Sequence, residues 1–232
     1  MDGLDIGKGE LIAVLGNNGS GKSTFLNVMS GLLEFTGSYR INGRPFKELA
    51  QAESARLIGF LPQEAALNMP FDAFYVVLTG RFIHSDGRMY SRGDIACTEK
   101  VMKRFDVFHL KDRLFNALSG GEKQRVLLAR VMNMDTDIFL LDEPFSGIDI
   151  LHQIKIVDVF RRIQSEKIIM VVIHDLSFAI HHFSRFLLFR DGRLLYDMKR
   201  DDLSTVRLSE VFGVRVGFVE QDNRMFVYTE EM

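Results

Sequence analysis

The sequence predicts an α/β fold built around a parallel sheet. Mostly apolar runs at 10–15, 137–142 and 168–173 are typical of strands buried on both faces of such a sheet. Residues 94–106 and 122–133 instead space their apolar side chains as helices do. The chain of 232 residues suits one α/β domain, or one domain with an inserted subdomain.

The first chemical motif is a glycine-rich loop between the strand predicted at 10–15 and a helix predicted at 25–29. It follows the pattern G-x-x-x-x-G-K-S/T and consists of Gly16, Asn17, Asn18, Gly19, Ser20, Gly21, Lys22, Ser23 and Thr24. The glycines let backbone N–H groups surround phosphate oxygens, and the helix N-terminus adds partial positive charge. An accidental glycine turn is the alternative, but the strand–loop–helix context argues against it. We therefore predict nucleotide binding, with Lys22 between the β- and γ-phosphates and Ser23 on magnesium.

The second motif lies at the N-terminal end of the helix predicted at 122–133. Ser119 stands where its side chain can cap that helix, and Glu122 follows three residues later, as in a capping box. Gly120 and Gly121 lie beside the helix start and suit a close backbone approach to an anion. An ordinary capped helix is the plainer interpretation, and the two are compatible.

The third motif is a predicted strand that ends in two acids, Asp142 and Glu143. Ligands of parallel sheets bind at the carboxyl ends of the strands. We predict that Asp142 holds magnesium through water, and that Glu143 orients or deprotonates an attacking water. Taken alone, the two acids are equally compatible with the start of a turn. The phosphate loop at Lys22 favours the catalytic interpretation.

Composition argues against several other functions. The net charge is −2, so no bulk positive field draws the chain to nucleic acid. The single Cys97 has no partner for an internal disulfide, which fits a reducing cytosol. We find no uninterrupted apolar run of membrane-spanning length and expect any membrane role to be peripheral, through a partner. Five histidines are too scattered or too poorly spaced to predict a metal site. They are His84, His109, His152, His181 and His182.

The three motifs, in this order, resemble the Walker A loop, the LSGGQ signature and the Walker B strand of the nucleotide-binding subunits of ABC transporters. Three lesser motifs match as well: Gln63 resembles the Q-loop glutamine, Asp149 the D-loop aspartate and His174 the switch histidine. Glu122 replaces the commonest glutamine of the signature, which is a frequent variant. The resemblance covers nearly the whole chain.

The resemblance implies a P-loop NTPase, with a RecA-like core containing a parallel sheet and an inserted α-helical subdomain. The implied units are a core of residues 1–62 and 136–200, a helical subdomain of residues 63–135, and a small C-terminal segment of residues 201–232. Within the last unit the pattern predicts two strands, at 214–220 and 225–229, around Asp222 and Asn223.

The resemblance also implies binding and hydrolysis of ATP with Mg²⁺ by two subunits arranged head to tail, most simply a homodimer. ATP on the Lys22 loop of one subunit would be closed over by the signature of the other, mainly by Ser119 and Gly120. Asp149 would link the two sites.

The catalytic residues implied in this way are Glu143, His174 and Gln63. His174 would hold the γ-phosphate. Gln63 would sense magnesium, as a ligand, together with the attacking water.

The implied partners are integral membrane permease subunits and, indirectly, a substrate-binding protein, which would place the chain at the cytoplasmic face of the membrane. The permease would dock at residues 70–77, where Phe71, Phe74 and Tyr75 lie close to the Q-loop. Burial of these three side chains in the core is an equally weighted alternative.

Two short stretches narrow the resemblance. Residues 76–84 and 210–216 are similar to segments of importers of ferric siderophores, haem and cobalamin. We therefore expect an importer of such iron(III) chelates. A zinc or manganese importer and a soluble ABC ATPase that does not serve transport are the alternatives.

The match weakens before the phosphate loop. Family members usually begin with a strand whose aromatic residue stacks on adenine, whereas residues 1–10 contain no aromatic. Base stacking on an aromatic side chain contributes about 1–3 kcal/mol in other nucleotide contexts. We expect either a natural start upstream or weaker ATP affinity and poorer base discrimination than is usual in the family. An extended chain that binds ATP no better would contradict the second expectation.

Overall fold

The computed structural model describes residues 3–63, 70–85, 89–221 and 224–231. Its strands are β1 (Leu11–Leu15), β2 (Arg40–Ile41), β3 (Arg44–Pro45), β4 (Ile58–Leu61), β5 (Ile138–Asp142), β6 (Ile168–Val172), β7 (Arg185–Arg190), β8 (Arg193–Lys199), β9 (Arg215–Gln221) and β10 (Arg224–Glu230). Its α-helices are α1 (Lys22–Met29), α2 (Gln51–Leu57), α3 (Ala73–Leu78), α4 (Arg92–Arg104), α5 (Gly120–Met132), α6 (Ile150–Ile163), α7 (Leu176–His182) and α8 (Thr205–Phe212). Shorter 3₁₀ helices span Phe46–Glu48, Thr79–His84, Phe108–Leu110, Phe115–Ala117 and Arg200–Asp202.

The central sheet has six strands in the order β4-β5-β6-β1-β7-β8. The first five of these are parallel neighbours, and β8 pairs antiparallel with β7. Because parallel strands run in one direction, β4, β5, β6 and β1 all end at the same edge. The residues that follow these ends include Gln63, Glu143, His174 and the loop from Gly16. The topology therefore brings four distant motifs to one edge, and the predicted parallel sheet is confirmed.

The sheet is covered on both faces, which explains its continuous apolar strands. In β1, Leu11, Ala13 and Leu15 belong to one core cluster. Ile12 and Val14 belong to the other, together with Leu26 of α1. A strand of this kind has no solvent side, so no polar alternation appears in its sequence.

The helices predicted at 94–106 and 122–133 are confirmed as α4 and α5. Each begins two residues earlier than the apolar spacing predicts, because a serine caps it. Ser91 caps α4 and Ser119 caps α5, both in capping boxes. Helices α3 and α5 also pack against each other.

The chain ends in an antiparallel hairpin of β9 and β10, which confirms the two predicted tail strands. The predicted turn at Asp222 and Asn223 lies outside the described residues. Among the described residues, no helix combines the length and apolarity that crossing a bilayer requires.

Candidate active site

The loop after β1 is tightly packed, and two of its glycines could not carry a side chain without strain. Gly16 has φ +147°, and a Cβ there would lie 2.1 Å from the carbonyl oxygen of Phe189. Gly21 has φ +99°, and a Cβ there would lie 3.1 Å from the Cα of Gly192. The loop is thus pressed against the end of β7 and the turn that follows it. Such glycine conformations let a loop turn its N–H groups toward an anion.

Lys22 begins α1, and only 5% of its surface is exposed. Its ammonium group donates to the carbonyl oxygens of Gly16 and Asn17, both at 2.9 Å. Burial lowers the pKa of Lys22, while the nearby charges of Glu143 and Asp142 oppose that effect. Phosphate oxygens would offer this cation stronger, charge-assisted bonds than the two neutral carbonyls do.

Asp142 ends β5 and is 2% exposed. Burial raises the pKa of Asp142, and hydrogen bonding with Ser23 opposes the rise. Its Oδ1 atom has no hydrogen-bond partner among the described residues. A buried carboxylate with a free oxygen beside a hydroxyl is a donor set that suits Mg²⁺, which prefers oxygen ligands and few protein groups. No group of three or more His, Cys, Asp or Glu side chains in the described ranges is arranged to hold a metal ion by itself.

Glu143 and His174 meet across neighbouring strand ends. The Nε2 atom of His174 lies 2.6 Å from Oε1 of Glu143, although 31 positions separate them. Glu143 has φ +50°, in the left-handed region that non-glycine residues rarely adopt. The side chain of Gln124 donates to the Glu143 carbonyl oxygen at 3.4 Å. Strained backbone of this kind is concentrated at functional sites.

These side chains share one open cleft of about 430 Å³. Seven predicted site residues line it: Asn18, Gly19, Lys22, Ser23, Gln63, Glu143 and His174. The cleft therefore combines a cation, three hydroxyl or amide groups and a carboxylate–imidazole pair. That combination can bind a polyphosphate and activate a water molecule beside it.

The signature residues are not part of the cleft lining. Ser119 Oγ accepts from the N–H of Glu122 at 3.4 Å, and Oε2 of Glu122 accepts from the N–H of Ser119 at 2.8 Å. A Cβ at Gly121 would lie 2.6 Å from the carbonyl oxygen of Gly147, whereas a Cβ at Gly120 would meet nothing within 4 Å. One glycine thus serves internal packing, and the other leaves open space. The predicted capping box is confirmed.

Asp149, the D-loop candidate, caps α6 and also lies outside the cleft lining. Its two oxygens are occupied within the chain, since Oδ1 accepts from the N–H of His152 and Oδ2 lies 2.7 Å from the ring Nδ1. Sequence reasoning assigned His152 no role. Its position in the first turn after Asp149 was the available signal.

The stretch at 76–84 makes contacts inside the chain, with α4 and with the C-terminal end of α5. A Cβ at Gly80 would lie 2.3 Å from the carbonyl oxygen of Arg130 in α5. Arg81 pairs with Asp94 of α4, with Nε 3.0 Å from Oδ1. His84 Nε2 lies 2.7 Å from the carbonyl oxygen of Met134. This stretch joins α3 to the helix that carries the signature.

Two further features of the phosphate loop carried no recognisable sequence signal. Asn17 Nδ2 donates to the carbonyl oxygen of Phe212 at 3.0 Å, which ties the phosphate loop to the end of α8. This contact joins segments that are adjacent only in the folded chain. Ser20 is 4% exposed, and its hydroxyl has no partner within the described residues.

Known proteins are similar to this chain in sequence and in fold. A family model described as ABC transporter matches residues 2–146. The chain is 36% identical over 227 residues to the hemin import ATP-binding protein HmuV of Myxococcus xanthus (strain DK1622), covering 94% of this chain and 85% of that protein. It is also 36% identical over 189 residues to the cobalamin import ATP-binding protein BtuD of Halobacterium salinarum, covering 80% of this chain and 47% of that protein.

A solved structure is also similar to this chain. An ATP-binding cassette in a dimeric, post-hydrolysis state bound to ADP and Pi superposes with a TM-score of 0.75 at 28% identity, covering 85% of this chain and 88% of that one. The family match spans more than half of the chain, and seven of the residues that the motifs predict line the cleft. The chain therefore belongs to the ABC transporter family, as an ATP-binding, ATP-hydrolysing subunit.

Proposed function

We propose that this chain powers an importer of iron(III) chelates, either a ferric siderophore or haem, or of cobalamin, which holds cobalt in place of iron. The observation that carries the ATPase part is the cleft, where Lys22, Glu143 and His174 converge. The cargo is supported by relatives at 36% identity, one a hemin import and one a cobalamin import ATP-binding protein. We place the chain at the cytoplasmic face of the membrane, held there by a permease.

In the proposed reaction, Lys22 leaves the carbonyl oxygens of Gly16 and Asn17 and pairs with the β- and γ-phosphates of ATP. Ser23 would hold Mg²⁺ as a ligand, Asp142 would hold it through water, and Gln63 would be a further ligand. The ion would neutralise charge that develops on the transferred phosphoryl group. The free oxygen of Asp142 and the neighbouring Ser23 support this assignment.

Glu143 orients the attacking water and accepts its proton, and His174 keeps the carboxylate in place and faces the γ-phosphate. The 2.6 Å contact between them supports these two roles. Because the proton acceptor and its orienting group come from two adjacent strands, the pair is held by the sheet itself.

A second copy completes each site in this proposal. Ser119 and Gly120 sit outside the cleft of their own chain, with open space at Gly120. In a head-to-tail pair they would close over ATP on the partner's loop, with Gly121 and Glu122 holding the segment in shape. ATP then favours the closed pair because it makes contacts there that the open form lacks. We propose the same units as before: a core of 1–62 and 136–200, a helical subdomain of 63–135 and a C-terminal segment of 201–232.

The permease is proposed to dock on an apolar patch of Phe71, Tyr75 and Leu114. These side chains are 41%, 40% and 54% exposed. The rings of Phe71 and Tyr75 lie 4.7 Å apart, and the N–H of Phe115 donates to the Phe71 carbonyl oxygen at 2.8 Å. Phe74 instead packs against the core. Of the three aromatic side chains, Phe74 therefore favours the core interpretation, and Phe71 and Tyr75 favour docking. A short cytoplasmic helix of the permease would cover the two exposed rings.

Replacing Phe71 with serine should weaken permease binding by about tenfold, since an exposed aromatic anchor contributes roughly 1–2 kcal/mol at an interface. ATP hydrolysis by the isolated chain should stay unchanged. Val206→Ser removes a 76% exposed apolar side chain from α8 and serves as the matched control. Equal permease binding by both variants would refute the docking patch.

The identity of the partner is tested by a pull-down from detergent-solubilised native membranes. The bait is tagged Glu143→Gln protein with ATP and magnesium, and mass spectrometry identifies what co-purifies. A multi-helix permease would support the importer, and its family would separate an iron-chelate cargo from zinc or manganese. Recovery of soluble proteins alone would instead favour a soluble ABC ATPase outside transport.

A further inference from the structure

His152 connects two acidic side chains that belong to different parts of the chain. Its ring Nδ1 lies 2.7 Å from Oδ2 of Asp149, at the start of α6. Its ring Nε2 lies 3.4 Å from Oδ2 of Asp106, the second residue after the end of α4. The imidazole is mostly buried, with 21% of the side chain exposed, whereas Asp149 and Asp106 are 60% and 48% exposed. It therefore spans from the D-loop to the helical segment before the signature.

The side chain of the neighbouring Gln153 binds the backbone of the loop at 146–149. Its Nε2 donates to the carbonyl oxygen of Ile148 at 2.8 Å. Both residues thus fix the loop at 146–149 from the first turn of α6. His152 does so through the carboxylate of Asp149, and Gln153 through the carbonyl of Ile148. Only His152 also reaches the segment at Asp106.

We infer that His152 is a positioning residue that ties the D-loop aspartate to the end of α4, so that movement of the helical segment changes the placement of Asp149. This deepens the proposed ATPase and rests on it, because Asp149 is the residue proposed to link the two nucleotide sites.

The bonding capacity of imidazole suits this tie. A neutral ring has one N–H and donates to one carboxylate, whereas the charged ring donates to both. Hydrogen bonds from the backbone and ring of His152 hold the pKa of Asp149 below its usual value. Lys155, with a smaller contribution from His152, lowers the pKa of Asp106. Both acids thus remain acceptors at neutral pH.

Two other charged groups act on the same acids. Lys155 Nζ lies 2.9 Å from Oδ2 of Asp106, so this acid has a partner besides His152. Arg125 of α5 contributes a smaller electrostatic effect on Asp149. Neither group joins the two acids, which makes Lys155→Ala the matched control: it removes a contact to Asp106 and leaves the tie.

The test compares the wild type with His152→Ala, His152→Gln and Lys155→Ala over a range of ATP concentrations at saturating magnesium. His152→Ala should lower kcat by about tenfold and leave the KM for ATP within about twofold. His152→Gln retains one donor for Asp149 and should recover part of kcat. Lys155→Ala should match the wild type. Equal kcat for wild type and His152→Ala would overturn the inference.

Hydrogen–deuterium exchange of the nucleotide-free chain separates this inference from the proposed function. His152→Ala should speed exchange at the amides of 146–149, and Lys155→Ala should not. Unchanged exchange in His152→Ala would refute the tie whatever the enzyme's activity. A wild-type chain without ATPase activity, but with the faster exchange in His152→Ala, would refute the proposed function and retain the tie.

Discussion

Replacing Glu143 with glutamine is expected to lower the rate of ATP hydrolysis by about 10²- to 10⁴-fold, the contribution typical of a positioned general base. The amide has nearly the same shape and can still accept a hydrogen bond from His174, but it cannot take a proton from water. ATP binding should persist, because Lys22 and the phosphate loop are untouched. Phosphate release measures the first effect, and a titration with a fluorescent ATP analogue measures the second.

A second consequence is that the variant should accumulate as an ATP-bound pair, which size-exclusion chromatography with and without ATP would show. Glu166→Gln makes the same chemical change at an exposed position outside the cleft lining, and should hydrolyse ATP as the wild type does. Wild-type turnover in Glu143→Gln would contradict the role of Glu143 and direct attention to His174.

The second large effect concerns the two glycines of the signature, which have opposite surroundings. Gly120→Asp places its side chain in open space and adds an acid to the first turn of α5, where negative charge is favourable. The free energy of unfolding should therefore be preserved. Hydrolysis should nevertheless fall by about 100-fold, because the carboxylate would face ATP on the partner subunit and repel it.

Gly121→Ala is the structural counterpart. Its Cβ would lie 2.6 Å from the carbonyl oxygen of Gly147, so the loop at 146–149 has to shift. We expect a loss of about 1–3 kcal/mol in the free energy of unfolding, as is usual for overpacking. Thermal or urea unfolding of both variants separates the two effects. Wild-type hydrolysis by Gly120→Asp would argue against a site completed by a second copy.

Mixing two inactive variants tests the head-to-tail arrangement directly. A pair made of one Lys22→Ala subunit and one Gly120→Asp subunit has one site in which both the loop and the signature are intact. Recovery of activity on mixing is the expected result. A mixture as inactive as its components would count against sites shared between subunits.

Local patterns were sufficient for much of the fold. The apolar runs of β1, β5 and β6 predict buried parallel strands because both faces of each strand are covered. The spacing in α4 and α5 predicts helices, and their serine caps explain why both begin two residues earlier than the apolar spacing predicts. The aromatic residues at 71–75 could not be assigned from sequence, since the same residue types serve both in cores and in docking surfaces. Their exposure depends on neighbours distant in sequence.

The sequence by itself determined the chemistry of this protein: a phosphate loop, a capped signature helix and a strand ending in two acids, each recognisable because its residues are consecutive. Only the tertiary structure decided how these groups combine. The strand order β5-β6-β1 places Glu143 against His174, and the packing at Gly147 separates the role of Gly121 from that of Gly120. The fold also brings Asp106 near the start of α6, which gives His152 two acidic partners. The physical reason is that backbone conformation and capping depend on neighbouring residues, whereas pairings across tens of residues depend on which elements the hydrophobic core brings together.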